Sequence, residues 1–254
     1  MRNTAAAPMA LLLVLAGVVA TAAAQSAPPA APPTPRAAAP IDLTGVWVSI
    51  VNEDWRWRMV TPPKGDYPGI NLTPGGRAAA EAWDPGTDGS CKAYGAPALL
   101  RTPTRLRISW AGDAVLLIES DAGEQTRRLQ FASTGPTGPS TLQGHSLASW
   151  ERSRPPANAF GFPGPPVPGP GGALKAVTTN LLPGWLRRNG VPYSERTVLT
   201  EYFDRFPGPD GSEWFVVTSI VEDPVNLLGP FTTSSHFRRE RDGAQWSPAP
   251  CRQD

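Results

Sequence analysis

Residues Ile41-Asp42-Leu43-Thr44-Gly45-Val46-Trp47-Val48 decide the fold. They follow a Pro/Ala-rich stretch and open the first apolar run with strand-type alternation. A Gly two residues before a Trp is a common start for an up-and-down β-barrel: the Gly lets backbone approach closely, and the indole behind it plugs one barrel end. Short β-branched and aromatic runs continue downstream at 43–51, 55–60, 105–110, 114–120, 124–131, 143–151, 174–180, 195–206, 213–221 and 232–240, and all read as strands. Ala111-Gly112-Asp113, Asp121-Ala122-Gly123 and Gly208-Pro209-Asp210-Gly211 supply hairpin turns. Consecutive strands with short links predict an all-β fold, an antiparallel up-and-down barrel of lipocalin-like type whose closure removes exposed edges.

Two short helices interrupt the pattern. Thr73 suits an N-cap, Pro74 suits N1, and an Ala-rich run ends at Trp83 before Asp84-Pro85-Gly86, with Trp83 expected to pack on the barrel. A second helix is expected near 183–188. Between 155 and 172, 12 of 18 residues are Pro or Gly, with Phe160 and Phe162 the large apolar groups. Residues 152–172 are therefore an inserted loop in a hairpin joining Trp150-Glu151 to Ala173-Leu174, either a surface extension or a ligand lid.

Arg2, the apolar segment 9–20 and Ala22-Ala23-Ala24 fit a secretory signal peptide over 1–24. The apolar segment is too short to span a bilayer, so no membrane anchor is expected after cleavage. Gln25 to Pro40 holds six Pro and six Ala, and residues 25–41 read as a disordered tether. Residues 42–254 then form one barrel domain, periplasmic or secreted. Of 23 Lys and Arg, only Arg2 and Arg36 lie before residue 42, which leaves 21 against 22 acidic residues. Such a balance carries no electrostatic footprint for nucleic acid. In an oxidising compartment Cys91 and Cys251 most simply pair, the alternative being two buried free thiols. With only two His, no metal site is expected, and no cofactor fingerprint, nucleophile elbow or P-loop is present.

Candidate site residues come from strand parity. His145, Leu147, Ser149 and Glu151 share one face of their strand; Gly144, Ser146, Ala148 and Trp150 share the other. If the first face lines the barrel, His145 serves as a general base or ligand contact, with Glu151 or Glu201 as the carboxylate; otherwise His145 is structural. Glu201 and Arg205 share a face with Leu199 and Phe203, and form either an interior ion pair or an outward one with Val198, Tyr202 and Phe206 inside. Aromatic size favours the second arrangement. Trp55-Arg56-Trp57-Arg58 alternates aromatic and cation as a half-buried strand does, or offers Trp57 as a stacking platform. Glu222-Asp223 before Pro224 reads as a solvated turn or a cation site.

In Asp42-Leu43-Thr44-Gly45-Val46-Trp47, Gly144-His145-Ser146-Leu147-Ala148-Ser149-Trp150-Glu151, Pro192-Tyr193-Ser194-Glu195, Thr200-Glu201-Tyr202-Phe203-Asp204-Arg205 and Val221-Glu222-Asp223-Pro224, the chain resembles a broad group of exported, functionally uncharacterised bacterial proteins with lipocalin-like barrels. With the strands between them these stretches cover nearly all of 42–251. The resemblance implies a fold and a compartment more than an activity; the Pro/Gly insertion departs from it, standing where a tight turn is expected.

Three functions follow as expectations. The first is a barrel binding a small apolar or amphipathic ligand in its interior, with His145, Glu201, Arg205, Trp57 and Trp150 as contacts and Trp47 closing one end. The second is an acid-base isomerase or hydrolase using His145 with Glu151 or Glu201. The third is an envelope module with a packed interior.

Overall fold

A computed structural model describes residues 31–86, 91–132, 135–152 and 172–251. The expected signal peptide, the first part of the tether and nearly all of the Pro/Gly insertion lie outside the described residues. In chain order the elements are β1 (Gly45–Ile50), α1 (Trp55–Arg58), α2 (Pro74–Ala82), the 3-10 turn Cys91–Tyr94, α3 (Ala96–Leu99), β2 (Arg105–Trp110), β3 (Val115–Ser120), β4 (Ala122–Gly123), β5 (Gln125–Gln130), β6 (His145–Arg152), β7 (Gly172–Thr179), β8 (Gly184–Arg187), β9 (Val191–Tyr193), β10 (Val198–Pro207), β11 (Glu213–Glu222), β12 (Phe231–Glu240) and β13 (Ala249–Pro250).

Nine strands close a barrel in the order β1-β12-β11-β10-β7-β6-β5-β3-β2, with β2 returning to β1. Eight of the nine junctions are antiparallel, and β5 and β6 run parallel. The hairpin joining Trp150-Glu151 to Ala173-Leu174 forms, with Trp150 opposite Leu174 and Glu151 opposite Ala173.

Two expected elements differ. The 55–60 stretch is not a strand: Asp54 enters the left-handed region at φ 51°, and its carbonyl accepts from the Trp57 and Arg58 amides to wind α1. Arg58 then donates Nε to the Arg101 carbonyl at 2.8 Å, an anchor that overrides the alternation. The 183–188 stretch is not a helix: β8 turns through Asn189-Gly190, with Gly190 at φ 81°, into β9. Trp83 packs against Gly190, where a Cβ would sit 2.2 Å from the indole. Thr73 caps α2 as its sequence predicts, Oγ1 accepting from the Gly76 amide at 2.9 Å.

The interior is stratified. One apolar cluster, built on Trp47, Leu106, Leu129, Leu174, Phe203, Phe215 and Phe237, fills the half toward the β1 start, the mouth. A second, including Tyr67, Leu181, Leu186, Val191, Leu199, Val221 and Phe231, lies under α2 and the β8–β9 hairpin at the other end, the cap. Between them is a polar stratum of Arg127, Ser146, Thr178, Glu201, Ser219 and Ser235, all buried. Trp47 plugs the mouth-side half: it is fully buried, meets Phe215 edge-on at 4.9 Å, and donates Nε1 to the Leu43 carbonyl at 2.8 Å. Gly45 sits at φ 122°, and a Cβ there would lie 2.5 Å from Arg239 Nη1. The group that approaches closely is thus the Arg239 side chain and not the backbone that the sequence implies.

Cys91 and Cys251 form a disulfide, which excludes the free-thiol alternative. It closes a loop of 160 residues, worth up to about 5 kcal/mol in the chain-entropy model. β13 lies parallel to β4 beside it.

Candidate functional site

The mouth carries the larger recess. Residues expected to end the tether instead lie on the barrel: the Arg36 amide donates to the Asp113 carbonyl at 3.0 Å, and Trp150 Nε1 donates to the Pro35 carbonyl at 2.7 Å. Ile41 packs against the mouth-side core. Between this strap and the β10–β11 turn is a cleft of about 710 Å³, lined by Ile41, Trp110 and Phe206 on its apolar side and by Asp42, Arg205 and Glu213 on its polar side. Trp110, Phe131 and Trp150 form an aromatic wall with centroids 5.0–6.3 Å apart. Burial works to raise the Asp42 carboxyl, but hydrogen bonds from the Thr44 hydroxyl and amide, with Arg239 and Arg205 nearby, hold it below its ordinary value.

The expected site residues do not converge. Ser146 and Ala148 point inward, so His145 sits half-buried on the outward face of β6, its Nδ1 3.3 Å from Gln130 Nε2. Glu151 is on the same outward side, exposed and 3.5 Å from Lys175 Nζ. Glu201 is inside, with Leu199 and Phe203, which corrects the arrangement that put Val198, Tyr202 and Phe206 in the core. Its partner is not Arg205. Arg127 reaches across from β5 with Nη1 at 2.9 Å and Nη2 at 2.6 Å from the carboxylate, and Nη2 also meets Thr178 Oγ1 at 3.3 Å. Arg205 pairs with Glu213 at the rim instead. The wall of the barrel thus separates His145 from Glu201. Asp223 is neither a solvated turn nor a cation site: it is buried and accepts from the Ser194 amide and hydroxyl, the Val225 amide and Asn226 Nδ2 at 2.7–2.9 Å. Among the described residues no group of three or more His, Cys, Asp or Glu is placed to hold a metal ion.

At the cap, α1, the α3 exit and β8 bring Arg58, Arg101 and Arg187 together, each more than nine-tenths buried. Arg58 is paired with Glu53, which also meets His236 Nδ1 at 3.0 Å; Arg101 Nη1 is 3.1 Å from Asp54 Oδ2; Asp66 takes Arg56 at 2.9 Å and Trp57 Nε1 at 3.3 Å. Trp57, offered by the sequence as the alternative of a stacking platform, carries the Arg187 guanidinium 4.7 Å from its ring centre and Arg56 at 5.4 Å. Sequence reasoning missed Arg187, Arg101 and Arg127. The Asn189-Gly190 dipeptide was the available signal for the first, since it marks β8 as a hairpin arm.

No family model, curated protein or solved structure matches this chain.

Proposed function

We propose that the protein is an exported barrel that binds a small amphipathic molecule at its mouth. The observation carrying this is the 710 Å³ cleft, of a size with ligand pockets of roughly 300–1,000 Å³ and lined by aromatic and apolar side chains on one side and a fixed charge set on the other. The lumen itself is a poor host: Trp47, Phe203, Phe215 and Phe237 have no accessible surface, so no water-sized void touches them. This reading moves the expected interior ligand to the rim, beside Arg205 and Trp110. Binding is favoured over acid-base chemistry because His145 and Glu201 share no pocket. The disulfide supports an oxidising compartment. Among the described residues no helix is long and apolar enough to cross a membrane.

The test is a fluorescence titration with 1-aminoanthracene, a neutral aromatic amine. Saturable one-to-one binding is expected, weakened about tenfold or more by Trp110→Ala, a loss of about 1.4 kcal/mol or more, and unchanged by Arg187→Met at the far end. Absence of saturable binding, or indifference to Trp110→Ala, refutes the proposal.

A further inference from the structure

The cap holds buried cationic donors that the fold does not use. Arg187 Nε and Nη1 and Arg58 Nη2 are buried without a hydrogen-bond partner. Among the described residues no carboxylate makes an ion pair with Arg187; Glu53, Asp54 and Asp66 are taken by Arg58, Arg101 and Arg56. Leaving such donors orphaned costs stability, and buried polar groups are satisfied in the great majority of cases. The side chains that carry them, with those of Trp57, Arg101, Arg188 and Ala98, line a recess of about 40 Å³. One water requires roughly 10–15 Å³ of such space, so a group of a few heavy atoms fits and a whole drug-sized molecule does not.

We propose that this recess binds the phosphate group of a phosphate-bearing small molecule, with Arg187 as its principal ligand and Arg101, Arg58 and Arg188 around it.

Four observations carry the assignment. A β-bulge between Trp185 and Arg187 breaks the alternation of β8, so that Leu186 and Arg187 are both buried in succession; bulges of this kind re-aim side chains beside functional sites. Arg187 is then held by its ring contacts, 4.7 Å from the Trp57 centroid and 6.0 Å from that of Phe231, which Arg101 also approaches at 5.2 Å. Of the three buried guanidiniums here, Arg58 and Arg101 each have a carboxylate partner and Arg187 has none among the described residues, an unmatched charge that an anion neutralises. Planar guanidinium forks match phosphate oxygens in pairs. Burial, with Arg101 next to it, pushes the Arg187 guanidinium down to about 10; it remains a cation at neutral pH, and an incoming anion relieves the repulsion.

The phosphate has two possible carriers, a soluble monoester or a phospholipid headgroup. Trp55, on α1 beside the recess, and Met59 and Val60 at its exit are all more than half exposed, an apolar edge suited to an acyl chain or bilayer surface. The site is independent of the mouth cleft, and its failure leaves that proposal standing.

The full chain is titrated with inorganic phosphate, and separately with phenyl phosphate, against sodium chloride at matched ionic strength, reading unfolding temperature and tryptophan fluorescence. The expected result is a saturable rise in unfolding temperature with both phosphates beyond that with chloride. Arg187→Met weakens it about tenfold or more, and Arg187→Lys, which keeps the charge without the fork, gives an intermediate loss. Sedimentation with phosphatidic acid vesicles, with phosphatidylcholine as control, separates the carriers. Vesicle binding lost in Arg187→Met supports a lipid; phosphate binding without vesicle binding supports a soluble ester. Phosphate acting no differently from chloride on the wild type, or binding undiminished in a folded Arg187→Met or Arg187→Lys variant, overturns the proposal.

Discussion

Arg127 and Arg187 are both buried guanidiniums, with 0% and 5% of their surface exposed, yet their surroundings have little else in common. Arg127 crosses the lumen to a bidentate hold on Glu201, itself fully buried, with Thr178 in support and Ser146 Oγ 2.7 Å from the Thr178 hydroxyl. Arg187 stacks on aromatic rings at the cap, has no carboxylate partner among the described residues, and leaves Nε and Nη1 unpartnered, where Arg127 leaves only Nε. The polar stratum holds its own counter-charge; the cap cluster leaves Arg187 without one beside a recess. Burial alone thus does not separate a structural charge from a binding one. What separates them is whether the protein supplies the counter-charge.

Removing the counter-charge should break the first of these sites most severely. Arg127→Met leaves Glu201 buried and uncompensated, and should cost about 3–5 kcal/mol in denaturant unfolding. The double variant Arg127→Met/Glu201→Leu should recover most of that loss, since an apolar replacement of a buried pair is often neutral or better. If the single variant unfolds like wild type, Arg127 and Glu201 are not the coupled pair described.

Asp223 offers a third buried charge, satisfied by neutral donors rather than a cation. Burial works to raise its carboxyl, but the bonds from Ser194, Asn226 and Val225 outweigh it and hold the group below the ordinary value of 3.8. A carboxyl depressed in the folded state contributes stability that is fully present above the unfolded value and is lost as pH falls through the folded one. Asp223→Asn should therefore cost about 1–3 kcal/mol near neutrality, and the gap to wild type should shrink as pH is lowered below about 4. A gap constant from pH 6 to pH 2.5 would contradict this.

Arg187→Met should cost the least of the three, within about 1 kcal/mol of wild type and on the stabilising side, because it removes a buried charge that no carboxylate pairs. A loss of several kcal/mol would put Arg187 in the same class as Arg127. The smallest effect is alkaline. With the Arg187 guanidinium at about 10 in the folded protein and at its higher ordinary value when unfolded, the unfolded chain binds more protons between those values. Wild-type stability relative to Arg187→Met should rise as pH climbs from 9 toward 11.

Much of this architecture was legible in the chain. Thr73 and Pro74 mark the start of α2, and the run 105–110 matches β2 to the residue, because local capping and alternation suffice there. The cap and the lumen were harder. Arg58 lies in a perfect alternation, yet a bond to the Arg101 carbonyl, 43 residues away in sequence, decides its conformation. Small Ser146 and Ala148 face inward on β6 because large rings from β10, β11 and β12 already fill the lumen, a size balance no single strand reveals. For Glu201 the missing partner was readable in part: Arg127 shares strand parity with the core residue Leu129, whereas Arg128 does not. Nothing local to β10 pointed across the barrel to it.

The contrast between the two arginines can be read in one spectrum. In a ¹⁵N–¹H correlation of the arginine Nε–H groups, with resonances assigned by Arg127→Lys and Arg187→Lys, phosphate added at constant ionic strength should shift the Arg187 signal saturably and leave that of Arg127 in place. An Arg187 resonance that does not move, or an Arg127 resonance that moves with it, would contradict the account.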